Sequence, residues 1–175
     1  MKTIILIVAV ALIPVMGSAQ KQVTDNFFKK YSGKEGFTTV NISEKLFELF
    51  AAVEDEKSDQ YDEMLTRIKG LNILVYENKD KQNLSAKYFN EINTGLQSGY
   101  YSELMTIKDG ADDVRLLVKE SDKKGVITQL LLIVNSAEEF VFINLEGEID
   151  LNEIKNISKS INAEGMEHLE KIDKK

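Results

Sequence analysis

The chain opens on an unbroken apolar run, Ile4 to Met16, behind the basic residue Lys2 and ahead of the small residues Gly17, Ser18 and Ala19. Basic, apolar and small segments in that order form the pattern of a secretory signal, and small side chains at Gly17 and Ala19 place the cut between Ala19 and Gln20. The run is shorter than the ~20 residues that cross a bilayer as a helix, and Pro14 breaks it near its end. The expectation is an exported chain with no membrane span after signal removal.

Beyond the leader, periodicity predicts a short helix over Gln20–Ser32 with Val23, Phe27, Phe28 and Tyr31 on one face, ended by Gly33 and Gly36. A strand follows at Phe37–Ile42, where β-branched and aromatic residues alternate with polar ones. Ser43 is placed as the cap of a second helix with a wide stripe of Leu46, Phe47, Leu49, Phe50 and Val53. Tyr61, Met64, Leu65 and Ile68 then recur at helical spacing, and Gly70 is the expected stop. A strand at Leu71–Tyr76 and a helix carrying Tyr88, Phe89, Ile92 and Leu96 complete this half.

From Tyr100 the pattern changes to strands in succession, at about 100–107, 113–120, 126–135 and 139–145. Asp109-Gly110 is the strongest turn signal between them, with Asp122–Gly125 and Asn135–Glu138 marking the next two. Connections this short leave no room for parallel crossovers, so the strands form an antiparallel meander. Val114, Leu116 and Val118 alternate with Asp113, Arg115 and Lys119, which predicts one buried and one wet face, and the nearly apolar 126–135 is placed centrally. Asp150 and Glu153 have the spacing of a capping box for a last helix lined by Ile154, Ile157 and Ile161.

The reading is therefore an α+β chain: a signal peptide over 1–19, one domain over 20–162 with an antiparallel meander sheet of about five or six strands and helices packed on one face, and a charged tail over 163–175. A chain of 175 residues holds one core without staples, and with no cysteine it has none to form. The formal charge of −7, made more negative by loss of Lys2, opposes nucleic acid and anionic membranes as partners.

Candidate chemistry is sparse. His168, the one histidine, sits in the charged tail, a poor place to fix a general base, and with no cysteine the usual zinc and copper ligand sets are not assembled. Ser121-x-x-Lys124 has the bare spacing of a lysine-activated serine, yet occupies a predicted hairpin turn without the companion Lys-Thr-Gly. Asp109, Asp112 and Asp113 offer oxygen ligands without the EF-hand spacing, and Glu54-Asp55-Glu56 with Asp59, Asp62 and Glu63 reads as a solvated helix face. No catalytic residue, cofactor or metal is assigned. Tyr88, Phe89, Tyr100 and Tyr101 are the candidate aromatic partner surface, with core packing as the competing explanation, and the sheet edges are candidate acceptors of a partner's strand.

The stretches Asp109–Val118, Leu130–Val134 and Glu139–Leu151 resemble the domain of unknown function numbered 4252, over roughly residues 23–162. The resemblance implies export to the envelope of Gram-negative bacteria, a small α+β domain, and genes near extracytoplasmic sigma factors and their regulators. Many relatives look like lipoproteins; this chain lacks the cysteine that would carry the lipid. The expected function is that of an exported, periplasmic or secreted, non-catalytic binding or regulatory protein, linked to envelope-stress sensing through an envelope partner. A small hydrolase using paired carboxylates and a self-associating structural protein are the alternatives.

Overall fold

The computed structural model describes residues 17–52, 59–78, 84–96 and 99–150. In chain order the elements are α1 (Gly17–Tyr31), β1 (Phe37–Ser43), α2 (Glu44–Ala51), α3 (Asp59–Thr66), β2 (Ile68–Glu77), α4 (Ser85–Gly95), β3 (Ser102–Asp109), β4 (Asp112–Glu120), β5 (Val126–Asn135) and β6 (Glu139–Asp150). The six strands make one antiparallel sheet in the order β1-β2-β6-β5-β4-β3. β3 to β6 form the expected meander, and the earlier pair β1–β2 extends it by laying β2 against β6. β5 and β6 are thereby central, which agrees with their apolar sequences.

Alternation sorts every strand into two faces. One face carries the cross-strand row Leu74–Phe142–Ile133–Arg115 and, beside it, Tyr76–Phe140–Asn135–Asp113. Helices α1 and α4 pack here and close the main core: Phe27 lies 5.3 Å from Phe142 between ring centroids, and Tyr88 lies 4.9 Å from each of Tyr31, Phe37 and Tyr76. Aromatic pairs in such tilted geometries add about 0.5–1.5 kcal/mol each beyond the area they bury. The opposite face is aliphatic, with the row Val40–Ile73–Ile143–Leu132–Leu116–Met105 crossing all six strands. Its central members are half-buried and its two ends exposed.

In β4 Val114, Leu116 and Val118 share one face as expected, with Val118 1% exposed, but the alternate face is not simply wet. Val114 and Leu116 lie on the half-buried aliphatic face, whereas Asp113, Arg115 and Leu117 face the helices. Arg115 is tolerated there because its guanidinium donates to Glu103 at 2.7 Å and to Asn93 of α4 at 2.7 Å. Gly70 does not stop a helix: α3 ends at Thr66, and Gly70 is inside β2, opposite Ser43 and Glu146. Ile68, counted into the helical stripe, is a buried strand residue. Sheet pairing on both sides of β2 outweighs a helical period that three or four residues can mimic.

Ser43 stands at the N-cap of α2 without a side-chain capping bond. The α2 stripe is only partly inward, since Phe47 is half-buried while Leu46, Leu49 and Phe50 are exposed. The turn expected at Asp109-Gly110 forms. Asp109 and Asp112 pair across the strands, and Gly110, at φ 59°, and Ala111 make the two-residue loop. β6 continues five residues beyond the expected end, to Asp150. Gly147 is required near that end, because a methyl group there would lie 2.6 Å from the carbonyl oxygen of Arg67. The leader's apolar run, the helix expected after Asp150, His168 and the tail lie outside the described residues.

Candidate functional site

β3 is the edge strand after β4, so one of its two rows of backbone donors and acceptors has no strand partner in the sheet. All eight of its residues are exposed, among them the large apolar side chains Leu104 at 53%, Met105 at 42% and Ile107 at 49%. Met105 and Ile107 lie on the aliphatic face, opposite Leu116 and Val114. The register shift between Glu103 and Met105 makes a bulge at Leu104, which bends the edge.

On the other side of the same strand, Glu103, Thr106 and Lys108 border an open groove of about 410 Å³ against α4, with Asn90, Asn93 and Arg115 on its wall. The charges in this groove are arranged in pairs. Arg115 holds Glu103, and Lys108 stands 3.6 Å from Asp113. Hydrogen bonds from Thr106 and from Arg115 hold the Glu103 carboxyl below the usual carboxylate range. The strand thus offers a free ladder edge with apolar side chains on one side and fixed charges on the other.

The tyrosines proposed as a partner surface do not form one. Tyr88 is 8% exposed and sits at the centre of the aromatic core. Tyr101 is half-buried against that core, and its hydroxyl donates to Gln129 Oε1 at 2.7 Å. Burial pushes its phenol up to about 12, with Glu146 and Asp25 adding to the effect. Tyr100 is half-buried just before β3. Phe89 is buried as well. The side chains of Tyr88 and Phe89 belong to the core cluster, and that of Tyr101 packs against it.

Gln129 also anchors a buried polar network that the sequence reading passed over. Its amide donates to Asn144 Oδ1 at 2.7 Å and to Thr24 Oγ1 at 3.1 Å, tying α1 to the two central strands. Asn144 in turn donates to Glu146 Oε1 at 3.0 Å. The available signal was a polar residue interrupting each of two apolar central strands, since such a residue is retained inside only with its partners.

An open groove of about 480 Å³ lies beyond this network, bordered by Lys69, Lys119, Lys123, Glu146 and Glu148. The hydrogen bond from Lys123 holds the Glu148 carboxyl there below its usual range. Ser121 and Lys124 occupy the β4–β5 turn, where Ser121 Oγ accepts the Lys123 N–H at 3.1 Å. Asp109, Asp112 and Asp113 bracket the β3–β4 turn, and among the described residues no group of three or more acidic or histidine side chains converges as a metal site. Glu54-Asp55-Glu56 lie outside the described residues; their companions Asp59, Asp62 and Glu63 are on α3.

Among the described residues, no helix is long and apolar enough to cross a membrane. No curated protein and no solved structure matches the chain. A family model does match, over residues 31–157, from β1 through the whole meander, and the chain belongs to the family described as a domain of unknown function, DUF4252.

Proposed function

We propose that the protein is an exported, non-catalytic binding module of the cell envelope that takes up an extended segment of a partner protein along β3. The supporting observation is the fully exposed edge strand with Leu104, Met105 and Ile107 in the open. Soluble chains blunt such edges, and an apolar one left accessible is a template for a partner's strand. A strand added there gains backbone hydrogen bonds for affinity. Its alternate side chains then meet Met105 and Ile107 on one side and the Glu103–Arg115 and Lys108–Asp113 pairs on the other, which selects an apolar–polar alternation in the partner.

Four of the described carboxylates are poor candidates for the general acid of a hydrolase. Glu48, Glu91, Glu103 and Glu148 are all held below their usual range, the opposite of the raised value that a carboxylic general acid needs at neutral pH.

The test is capture by cross-linking of the tagged processed chain in its own host, beside the Met105→Lys/Ile107→Lys variant. An envelope protein caught by the parent and lost with the variant, at unchanged melting temperature, is the expected result. Equal capture by both moves the surface elsewhere, and a parent that catches nothing overturns the reading. Self-association is the second reading, on the exposed α2 stripe of Leu46, Leu49 and Phe50. It requires a mass by light scattering that rises with concentration and falls back on Phe50→Lys.

A further inference from the structure

The open edge of β3 carries a sequence that is complementary to itself. Glu103 precedes the bulge at Leu104, and Met105, Thr106, Ile107 and Lys108 follow in regular alternation. Glu103, Thr106 and Lys108 fall on the helix side of the sheet, and Met105 and Ile107 on the aliphatic side. The bulge makes this sorting possible: in an unbroken strand Glu103 would share the side of Met105 and Ile107.

Two copies of one strand pair antiparallel about a two-fold axis, and because each residue keeps its face the axis passes between a residue and its own copy. The possible axes near the middle of β3 are not equivalent. An axis at Met105 sets Thr106 against Glu103 and Ile107 against Ser102, and an axis at Ile107 sets Lys108 against Thr106 and Met105 against Asp109. An axis at Thr106 sets Thr106 against itself and Met105 against Ile107 on the aliphatic side. Because the bulge takes up Leu104, it also sets Lys108 against Glu103 on the helix side. In this register alone apolar side chains meet apolar ones and each of these charges meets its opposite, both combinations that favour a strand pair.

We propose that, when no partner segment is present, β3 pairs in this register with β3 of a second copy of this chain, closing the edge of both. The inference rests on the reading of β3 as an acceptor edge and adds its regulation, since the copy and the partner compete for the same backbone groups. Charge complementarity extends beyond the strand itself. Within one chain Arg115 holds Glu103 at 2.7 Å and Lys108 stands 3.6 Å from Asp113. Across the axis these pairs join into an alternating row, Arg115 and Glu103 of one copy followed by Lys108 and Asp113 of the other, and the two-fold repeats it.

The aliphatic row that ends at Met105 continues into Ile107 of the second copy. α4 lies over β5 and β6, inward of β4, and the groove between it and β3 is open, so the helix side leaves room for the added strand. One strand from each copy is a contact at the small end of protein interfaces. The dimer therefore forms as concentration rises and yields to a partner segment.

The test is sedimentation of the processed chain over a range of concentrations, where a monomer–dimer equilibrium is expected. Glu103→Lys alone and Lys108→Glu alone each set like charges together twice across the axis, and each is expected to weaken self-association by about tenfold. Mixing the two variants restores every charge pair, so a heterodimer of near-parental affinity is expected. Each change also disturbs its own pair with Arg115 or Asp113, so Thr106→Cys gives a second readout. With no native cysteine in the chain, a short thiol cross-linker is expected to join Thr106→Cys to its own copy and to leave Asp109→Cys, away from the axis, unjoined. Phe50→Lys, on α2, is expected to leave the dimer intact.

A monomer at all concentrations, charge variants that associate as the parent does, a mixture of folded variants no stronger than either alone, an unjoined Thr106→Cys, or a dimer lost with Phe50→Lys overturns the inference. Capture separates it from the partner reading. A monomer that still captures an envelope protein through β3 removes the self-pairing alone, and a dimer that captures no other protein removes the partner reading alone.

Discussion

The two faces of the sheet are made from alternate residues of the same strands, and they differ in how their apolar side chains are held. The face under α1 and α4 is specified in detail: interlocked rings, a buried amide network and a guanidinium fixed between Glu103 and Asn93. The other face is more uniform, with Val, Ile and Leu repeated across the inner strands and polar residues such as Thr38 and the Glu77–Glu139 pair only toward its margins. Aromatic rings and buried hydrogen bonds tolerate one docking geometry, whereas an aliphatic surface accepts any apolar cover of suitable width. The difference shows which face is fixed by specific contacts and which by apolar area alone.

The largest expected effect contrasts neighbours on β6. Phe142, fully buried, faces the helices, and Ile143 faces the aliphatic side half-buried. Phe142→Ala is expected to cost about 3–5 kcal/mol in urea unfolding, and the half-buried Ile143→Ala about 1–2 kcal/mol. A cost below about 1 kcal/mol at Ile143 would mean that the second face stays wet and the contrast between the faces is greater than proposed.

Gln129→Ala comes next. It leaves Tyr101, Asn144 and Thr24 each short of a partner in a dry site, an expected loss of about 2–3 kcal/mol. Thr128→Ala, one residue away and exposed, is the control, expected within about 0.5 kcal/mol of the parent. Equal losses would show that the network does not distinguish the faces energetically.

The smallest effect is a pH dependence. Burial pushes the Glu91 carboxyl up, but hydrogen bonds from Lys30 and Tyr31 outweigh it and leave it below the ordinary 4.5. A carboxylate depressed in the folded state binds its proton more weakly there than in the unfolded chain. Its contribution is complete above about pH 4.5 and is lost as the pH falls through the folded value. Glu91→Gln should therefore lower the melting temperature slightly at neutral pH and flatten its decline in acid. An unchanged acid limb would remove the α1–α4 clasp from the list of features that fix the helical face.

Much of the architecture was legible in local pattern. The meander from β3 to β6 follows from runs of β-branched and aliphatic residues separated by loops too short to cross over, and α1 from Val23, Phe27, Phe28 and Tyr31. Less legible were places where one local pattern fits two structures. Gly70 ends a helix or sits in a strand with equal local plausibility, and the pairing of β2 with both β1 and β6 decided it. Tyr88 had the spacing of a helix stripe, but only assembly with Tyr31, Phe37 and Tyr76 made it core.

The candidate site was hardly legible. Leu104, Met105 and Ile107 read as ordinary strand residues, because being at an edge is a property of strand order and strand order is absent from local pattern.

By itself, then, the sequence determined the element types, the antiparallel meander and its turns, since these depend on side-chain periodicity and on chain segments only a few residues apart. Which face of β4 meets the helices, which strand is left at the edge, and which polar residues are buried together were decided by the tertiary structure. Each depends on contacts between residues distant in the chain, such as Thr24 with Gln129 or Leu74 with Phe142, whose energies appear only once the strands are in register.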